Sequence, residues 1–511
     1  MFTGFRIILL AGACIFFTLL ALISLSSRLP SENNTFQVDN RYEIKPHVPN
    51  DEHATAKDVK VRQHREIVIR PGEKFLSYWT HSGYHNQRIA LENALLLAKM
   101  LNRTLLLPPL FLGPPVPFAE FDRMYERLLT ITKRGLEHCG KVPSDYPIPA
   151  ECLNYYLNTK VSWEFLVDME PIRRWHSFVE RWDMSVEWLH SRLGITHDDT
   201  YRLKDNRLWD YRIYDTNDSA IGLDKYARSI FVEDLKRVEH KLIQTGSLFG
   251  TFRVVPDLLE NQQHLKFIKE HLVNRNAILT KLAARIVDKI GGAGNFIGLH
   301  MRVGDGFFMR TARMTLDRMY HTIIDARTNL SPDVVDKLEG GTHDQDILED
   351  ETVDLNKRMI KPLESESFEA ATNDVFPDST KTRRAVVPIS RPKIQCHKEL
   401  DDNDPGVNTI IYIATDAKMP RNNSLLFKFF NTFPCVFVLD DFQEELDEIR
   451  PLRNIEDKAP LASHLIPMLD AMVAAHAETF YGTPRSTFST YINKQLQPIY
   501  AGKSIDIVVY S

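Results

Sequence analysis

Phe296-Ile297-Gly298-Leu299 runs straight into His300-Met301-Arg302-Val303-Gly304-Asp305, so that an apolar stretch turns polar at its end. A short, continuous apolar run reads as a strand buried on both faces, as in parallel α/β sheets. Ligands of such sheets bind beyond the carboxyl ends of the strands. A guanidinium fixed at that edge presents a planar fork that matches phosphate oxygens. Arg302 is therefore a candidate to neutralise charge that develops on a departing phosphate, with Asp305 to orient it. The competing reading is a structural Arg302–Asp305 ion pair.

Three other stretches repeat the pattern of a strand ending in a polar turn. Phe75 to Trp79 reads as a strand, Arg88 to Leu101 as a helix, and Thr104 to Leu107, closed by Pro108-Pro109, as a second strand; together they form a βαβ unit. Its turn is Ser82-Gly83-Tyr84-His85-Asn86-Gln87-Arg88, where Gly83 lets backbone approach a ligand closely and Asn86 offers an amide. Ile410 to Ala414 reads as a strand that runs into Thr415-Asp416. Glu478 to Tyr481 is followed by Gly482-Thr483-Pro484-Arg485-Ser486-Thr487-Phe488-Ser489, in which Ser486 and Thr487 cap a helix and Phe488 packs in the core or against a base. Each motif alone is equally an ordinary turn or helix cap.

Between these landmarks, Asn261 to Ile290 reads as one long amphipathic helix ended by Gly291-Gly292-Ala293-Gly294. Residues 110–260 are rich in aromatics and prolines and carry only helical patches, such as Trp163 to Met169 and Ser177 to Leu193. Residues 331–407 are acidic and without period, which predicts a disordered insertion. A helix from about Ser463 to Ala475 precedes the last strand. Strands alternating with helices predict doubly wound parallel sheets.

The chain has 511 residues, too many for a single hydrophobic core, so at least two domains are expected. With 43% apolar and 26% charged residues it is globular in composition, and a net charge of −5 leaves no electrostatic footprint for nucleic acid. No charge interrupts the stretch between Arg6 and Arg28, which is long enough to span a bilayer. The expected order is a cytoplasmic tail (1–6), a transmembrane signal-anchor (7–27), a flexible stem (28–66), a first α/β domain with insertions (67–290) and a second (291–511) that carries the insertion. A cleaved signal peptide is the alternative to the anchor. Outside that segment lie Cys139, Cys152, Cys396 and Cys435, enough for two disulfides in an oxidising compartment, with Cys139–Cys152 the favoured pair; buried thiols are the alternative. Sequons occur at Asn33, Asn102, Asn217 and Asn422, of which Asn102, between apolar runs, is expected to be buried. No spacing resembles a metal site.

Taken in order, these motifs resemble the GDP-fucose O-fucosyltransferase family, in a fungal-looking branch with a long insertion. The resemblance runs from about Phe75 to Lys494. It is carried by Ser82 to Arg88 followed by Ala98-Lys99-Met100-Leu101-Asn102-Arg103-Thr104-Leu105, by His300-x-Arg302, by Tyr412 to Asp416, by Leu469-Asp470 and by Ser486-Thr487-Phe488-Ser489. It implies a GT-B-like architecture, two Rossmann-like domains with the donor in the cleft between them and the acceptor on the N-terminal side. It also implies an inverting, metal-independent transfer of fucose to a protein or glycan hydroxyl in the Golgi or endoplasmic reticulum, with the catalytic part lumenal and no cofactor beside the GDP-fucose substrate.

Carried over by position, Arg302 stabilises the leaving β-phosphate, and His300, Ser486, Thr487 and Phe488 hold GDP, with Asp416 and Asp470 assisting. Asn86 contacts donor or acceptor near the reacting carbon. The sequence departs from the family at His85, where relatives carry glycine or, nearby, a glutamate. His85 is either a general base or a residue that only shapes the turn. Alternatives for the whole chain are another nucleotide sugar as donor, or a lumenal glycan- or protein-binding scaffold without turnover. A nucleotide-sugar hydrolase lacks a supporting metal or nucleophile constellation.

Overall fold

A computed structural model describes residues 57–143, 146–304, 306–339 and 392–507. The expected tail, anchor and most of the stem, together with Asp305, Asn33 and residues 340–391, lie outside the described residues. No helix among the described residues is long and apolar enough to cross a membrane.

The expected stem ends earlier than its composition suggests. Lys57–Val59 form β1, and Val61 just beyond it is buried. The βαβ unit follows: β2 (Phe75–Trp79), α1 (Tyr84–Leu101) and β3 (Thr104–Leu107). α1 starts four residues before the expected position, so His85 and Asn86 lie in its first turn. It ends at Asn102, which adopts the left-handed conformation (φ 50°) that asparagine tolerates at a helix C-cap. Asn102 is exposed there, contrary to the expectation of burial. β4 (Phe178–Glu180), β5 (Thr200–Leu203) and β6 (Leu242–Ser247) complete a parallel five-stranded sheet in the order β4-β3-β2-β6-β5.

The single helix expected over 261–290 is two helices, α2 (Leu259–His271) and α3 (Ala277–Lys289). Asn276 breaks the pattern: its side-chain oxygen accepts from the N–H groups of Ile278 and Leu279 and so starts a new helix. The second sheet follows, with β7 (Ile297–Met301), α4 (Gly306–Arg327), α5 (Pro332–Glu339), β8 (Ile411–Thr415) and β9 (Val436–Val438). Then come β10 (Leu452–Asn454), α6 (Ala462–Ala474), β11 (Thr479–Gly482) and α7 (Thr487–Tyr491). The sheet order is β9-β8-β7-β11, again wholly parallel.

The expected insertion 331–407 is ordered at both ends. α5 occupies 332–339, and on the other side Cys396 is joined to Cys435 while His397 N–H donates to the Pro434 carbonyl at 3.0 Å.

Two crossings bind the halves into one compact unit. β1 pairs in parallel with β10. At the other end of the chain, α7 and the π-helical turn that continues it (Ile492–Leu496) return to pack on α1. There Gln495 Nε2 donates to Glu92 Oε1 at 3.1 Å, and Asn274 N–H donates to the Tyr491 hydroxyl at 2.8 Å. One apolar core therefore holds residues of both sheets, among them Leu76, Leu91, Phe296, Tyr412 and Leu469.

Candidate active site

The turn that follows β7 is built by side chains from the ends of its two neighbours in the sheet. Thr483 donates its hydroxyl to the His300 carbonyl at 2.9 Å, and its oxygen accepts the N–H of Arg302 at 2.9 Å. From β8, the Thr415 hydroxyl donates to the Met301 carbonyl at 2.7 Å. Asp416 accepts the N–H groups of Val303 and Gly304 at 2.8 and 3.3 Å. A Cβ on Gly304 would stand 3.0 Å from Asp416 Oδ2, which explains the glycine. The backbone that carries Arg302 is thus pinned at five successive residues, and the guanidinium lies over the Phe308 ring, 4.3 Å from its centroid.

His300 is buried beneath this turn. Its Nδ1 lies 2.6 Å from the Ser489 hydroxyl, and its ring stacks on Phe488 with centroids 4.4 Å apart. Burial, and then the charge of Arg302, push its pKa down to about 3, so the ring is neutral. Ser486, fully buried, accepts the N–H of Ser489 at 3.3 Å and so caps α7, with Thr487 as the first helical residue.

The first half reaches the same place through α1. The His85 ring lies 5.1 Å from Phe488 and 4.9 Å from Tyr491. His85 Nδ1 and the side-chain oxygen of Asn86 are both shielded from solvent and lack a hydrogen-bond partner. Burial, followed by the charges of Arg88 and Arg302, holds the His85 pKa well below the usual histidine range. The ring is therefore neutral, and the same depression makes it a weak proton acceptor. Gln87 fixes this corner: its Nε2 donates to the carbonyls of Ser82 and Phe111 at 3.1 and 2.8 Å, and its Oε1 accepts the N–H of Phe111 at 3.1 Å.

At Gly83 the backbone is not left-handed, and the space where a Cβ would stand is open. Its φ is −85° and a Cβ would meet nothing within 4 Å, whereas Ser82 carries the left-handed backbone at φ 66°. The strain sits one residue before the glycine because Ser82 is tied to Val116 in an antiparallel bridge.

A cavity of about 360 Å³ opens at the carboxyl edge of the second sheet, lined by His300, Arg302, Asp416, Leu439, Asp470 and Phe488 among others. Asp470 is buried; its Oδ1 accepts the Tyr412 hydroxyl at 2.6 Å. Burial raises its pKa to about 7, partly opposed by that hydrogen bond. A larger hollow of about 690 Å³ lies beside β4 and the segment from Arg62 to Arg70, and none of the expected site residues line it. Of the expected site residues, the structure brings His300, Arg302, Asp416, Asp470 and Phe488 around one cavity and sets His85 against Phe488. Asn86, Ser486 and Thr487 adjoin them in sequence, and Asp305 lies outside the described residues.

The supporting residues Thr483, Thr415, Tyr412 and Ser489 were not singled out from the sequence, although each stands inside or next to a quoted motif. Cys139 pairs with Cys152 and Cys396 with Cys435. His138, Cys139 and Cys152 lie within metal-ligand range of one another, but both sulfurs are committed to the disulfide.

Two wholly parallel sheets, with the first turn of α1 set against Phe488 beside a cavity at the carboxyl edge of the second sheet that holds a pinned arginine, define a GT-B-like α/β protein. The chain belongs to the GDP-fucose protein O-fucosyltransferase family, a family of glycosyltransferases, which it matches over residues 75–497. O-fucosyltransferase 30 of Arabidopsis thaliana is 56% identical over 47 residues, so that the chain spans about a tenth of that relative's length, 9% of either protein. Crystal structures of POFUT1 with GDP (11% identity, TM-score 0.35, 84% of this chain and 96% of that one) and with GDP-fucose (12%, 0.34, 84% and 95%) are among its structural neighbours.

Proposed function

We propose that this chain transfers fucose from GDP-fucose to a hydroxyl of a protein or glycan, with inversion and without a metal ion. The observation that carries the reading is Arg302, a cation held by a fully engaged backbone at the edge of a cavity of nucleotide size. In this reading GDP occupies that cavity, with its base near Asp470 and Phe488 and its diphosphate at Arg302. As the bond from the sugar's anomeric carbon to the β-phosphate oxygen breaks, Arg302 neutralises the charge left on the phosphate. This is positive charge that a bound cation supplies elsewhere, which supports the metal-independent form. The acceptor oxygen approaches the opposite face of the sugar from the α1 side and inverts the anomeric carbon.

His85 takes the acceptor's proton, and Asn86 orients the reacting groups through its unpartnered oxygen. A second reading of His85 is favoured by its packing: the ring is wedged between Phe488 and Tyr491, where it holds the two halves in register. Replacing it by glutamine separates the two. A turnover loss of about 10²–10⁴-fold at unchanged thermal stability supports the base, and lost stability with turnover retained supports the wedge.

The two disulfides support a lumenal location behind an N-terminal anchor. Binding of GDP, UDP and their sugars, with Arg302→Ala as control, tests the donor. GDP-selective binding weakened by Arg302→Ala is expected, and absence of nucleotide binding would refute every transferase version.

A further inference from the structure

Beyond β11, Thr483 holds the Arg302 backbone, and two residues later the chain presents a second arginine. Arg485 adopts φ 62°, a left-handed backbone that an arginine rarely takes, directly before the buried cap Ser486. Its side chain is exposed, and no carboxylate pairs with it among the described residues. Its guanidinium carbon lies over the Phe307 ring, 5.5 Å from the centroid, while that of Arg302 lies 4.3 Å from the centroid of the next ring, Phe308. Phe307 is itself partly exposed, at 39%. Two adjacent aromatic rings at the start of α4 thus carry two guanidiniums from the ends of two adjacent strands. Arg302 lines the cavity; Arg485 is not among its lining residues but is tied to Arg302 through the Phe307 and Phe308 rings, whose centroids are 5.8 Å apart.

Building on the donor assignment above, we propose that Arg485 is a second diphosphate-binding residue. It meets the outward-facing phosphate oxygens of GDP where the diphosphate leaves the cavity, with Phe307 as the positioning ring beneath it. The chemistry favours it. A diphosphate carries more charge than one guanidinium offsets, and each fork supplies donors only to the oxygens that it faces. The strained backbone fits as well. A residue held against its preference at a site's edge is tolerated where its side chain has a task there.

Glycine occupies φ 62° without cost, so Arg485→Gly removes the side chain while leaving the turn at least as stable. The full-length chain and its Arg485→Gly and Phe307→Leu variants are titrated with GDP and with guanosine. The expected result is GDP affinity about tenfold weaker in Arg485→Gly, corresponding to the loss of one charge-assisted contact, with a smaller loss in Phe307→Leu and guanosine binding unchanged in both. Unchanged GDP affinity in Arg485→Gly, or an equal loss for guanosine, overturns the proposal. A parent chain that binds no GDP overturns the donor assignment instead, and this inference with it. A variant that binds GDP normally but transfers poorly assigns Arg485 to the acceptor and also overturns it.

Discussion

His300 Nδ1 and Ser489 Oγ meet at 2.6 Å across 189 residues of chain. The contact joins the end of β7 to the first turn of α7 and holds the His300 ring flat against Phe488. Removal of the hydroxyl leaves a buried ring nitrogen unpaired, at a cost of about 1–3 kcal/mol. Ser489→Ala should therefore lower the urea midpoint with the slope of the transition unchanged. It should also weaken GDP binding, because the ring that backs Phe488 loses its anchor.

The same histidine gives a pH signature. Its folded pKa, about 3, lies below the ordinary value near 6.5, so the unfolded chain binds a proton that the native site refuses. The stability it contributes is complete above about pH 6.5 and is lost as pH falls toward 3, at about 1.4 kcal/mol per pH unit. His300→Gln removes this term. The stability difference between parent and variant should shrink by about 2 kcal/mol between pH 7 and pH 5. A difference that does not change with pH would show that the ring is not held neutral.

Arg302 depends on a flat fork and on the ring beneath it. Lysine keeps the charge but neither the planar donors nor the stacking. Arg302→Lys should lower kcat about 100-fold or more, in line with loss of a preorganised donor to a developing charge. Phe308→Leu should cost only several-fold, since a cation–π contact is worth about 0.5–2 kcal/mol. Steady-state kinetics with GDP-fucose check the order: a Phe308→Leu defect as large as that of Arg302→Lys would mean that Phe308 touches substrate directly.

The elements that were legible before the structure are those whose burial is apolar. Phe75–Trp79, Thr104–Leu107 and the strand before Arg302 are apolar runs closed by polar turns, and they stand where expected. The turns carry the site because parallel strands deliver their ends to one edge. What escaped was β6, a central strand between β2 and β5. Its sequence, Leu242-Ile243-Gln244-Thr245-Gly246-Ser247, is fully buried yet half polar, because Gln244 and Ser247 satisfy groups on other elements. Such partners lie far away in sequence and leave no periodic trace. Thr483 escaped for the same reason, since its role is to hold residues about 180 positions earlier. The disorder expected over all of 331–407 followed composition, but a disulfide orders its far end whatever the composition.

Asp470 should make nucleotide binding pH-dependent. Burial holds its carboxyl pKa at about 7, so the group is about half ionised at neutral pH. A carboxylate accepts hydrogen bonds from a base edge, whereas the acid form offers a donor in competition. GDP affinity should therefore rise as pH increases from 6 to 8, and Asp470→Asn should flatten that rise while weakening binding. Calorimetric titrations at three pH values decide it. A parent affinity independent of pH would exclude Asp470 from direct contact with the base.

Arg181 is the side chain on which the first sheet depends. It is fully buried, and its guanidinium donates to Ser77 Oγ and Gln244 Oε1 at 3.1 and 3.2 Å and to the carbonyls of Met184 and Ser185 at 2.7 and 3.3 Å. It thereby joins β2, β6 and the loop after β4. Burial lowers its pKa to about 10, which leaves it charged at neutral pH, so the four acceptors must together offset its desolvation. Arg181→Leu strands all four at once. Unpaired buried acceptors cost about 1–3 kcal/mol each before relaxation, so a net loss on the order of 3 kcal/mol is expected. The apparent Tm should fall by about 3 °C, the unfolding entropy of a chain of this length being roughly 1 kcal/mol per kelvin. The exposed Arg192, replaced in the same way, should shift it by no more than about half a degree. Equal shifts for the two would mean that the buried guanidinium adds nothing to stability beyond what leucine supplies by packing.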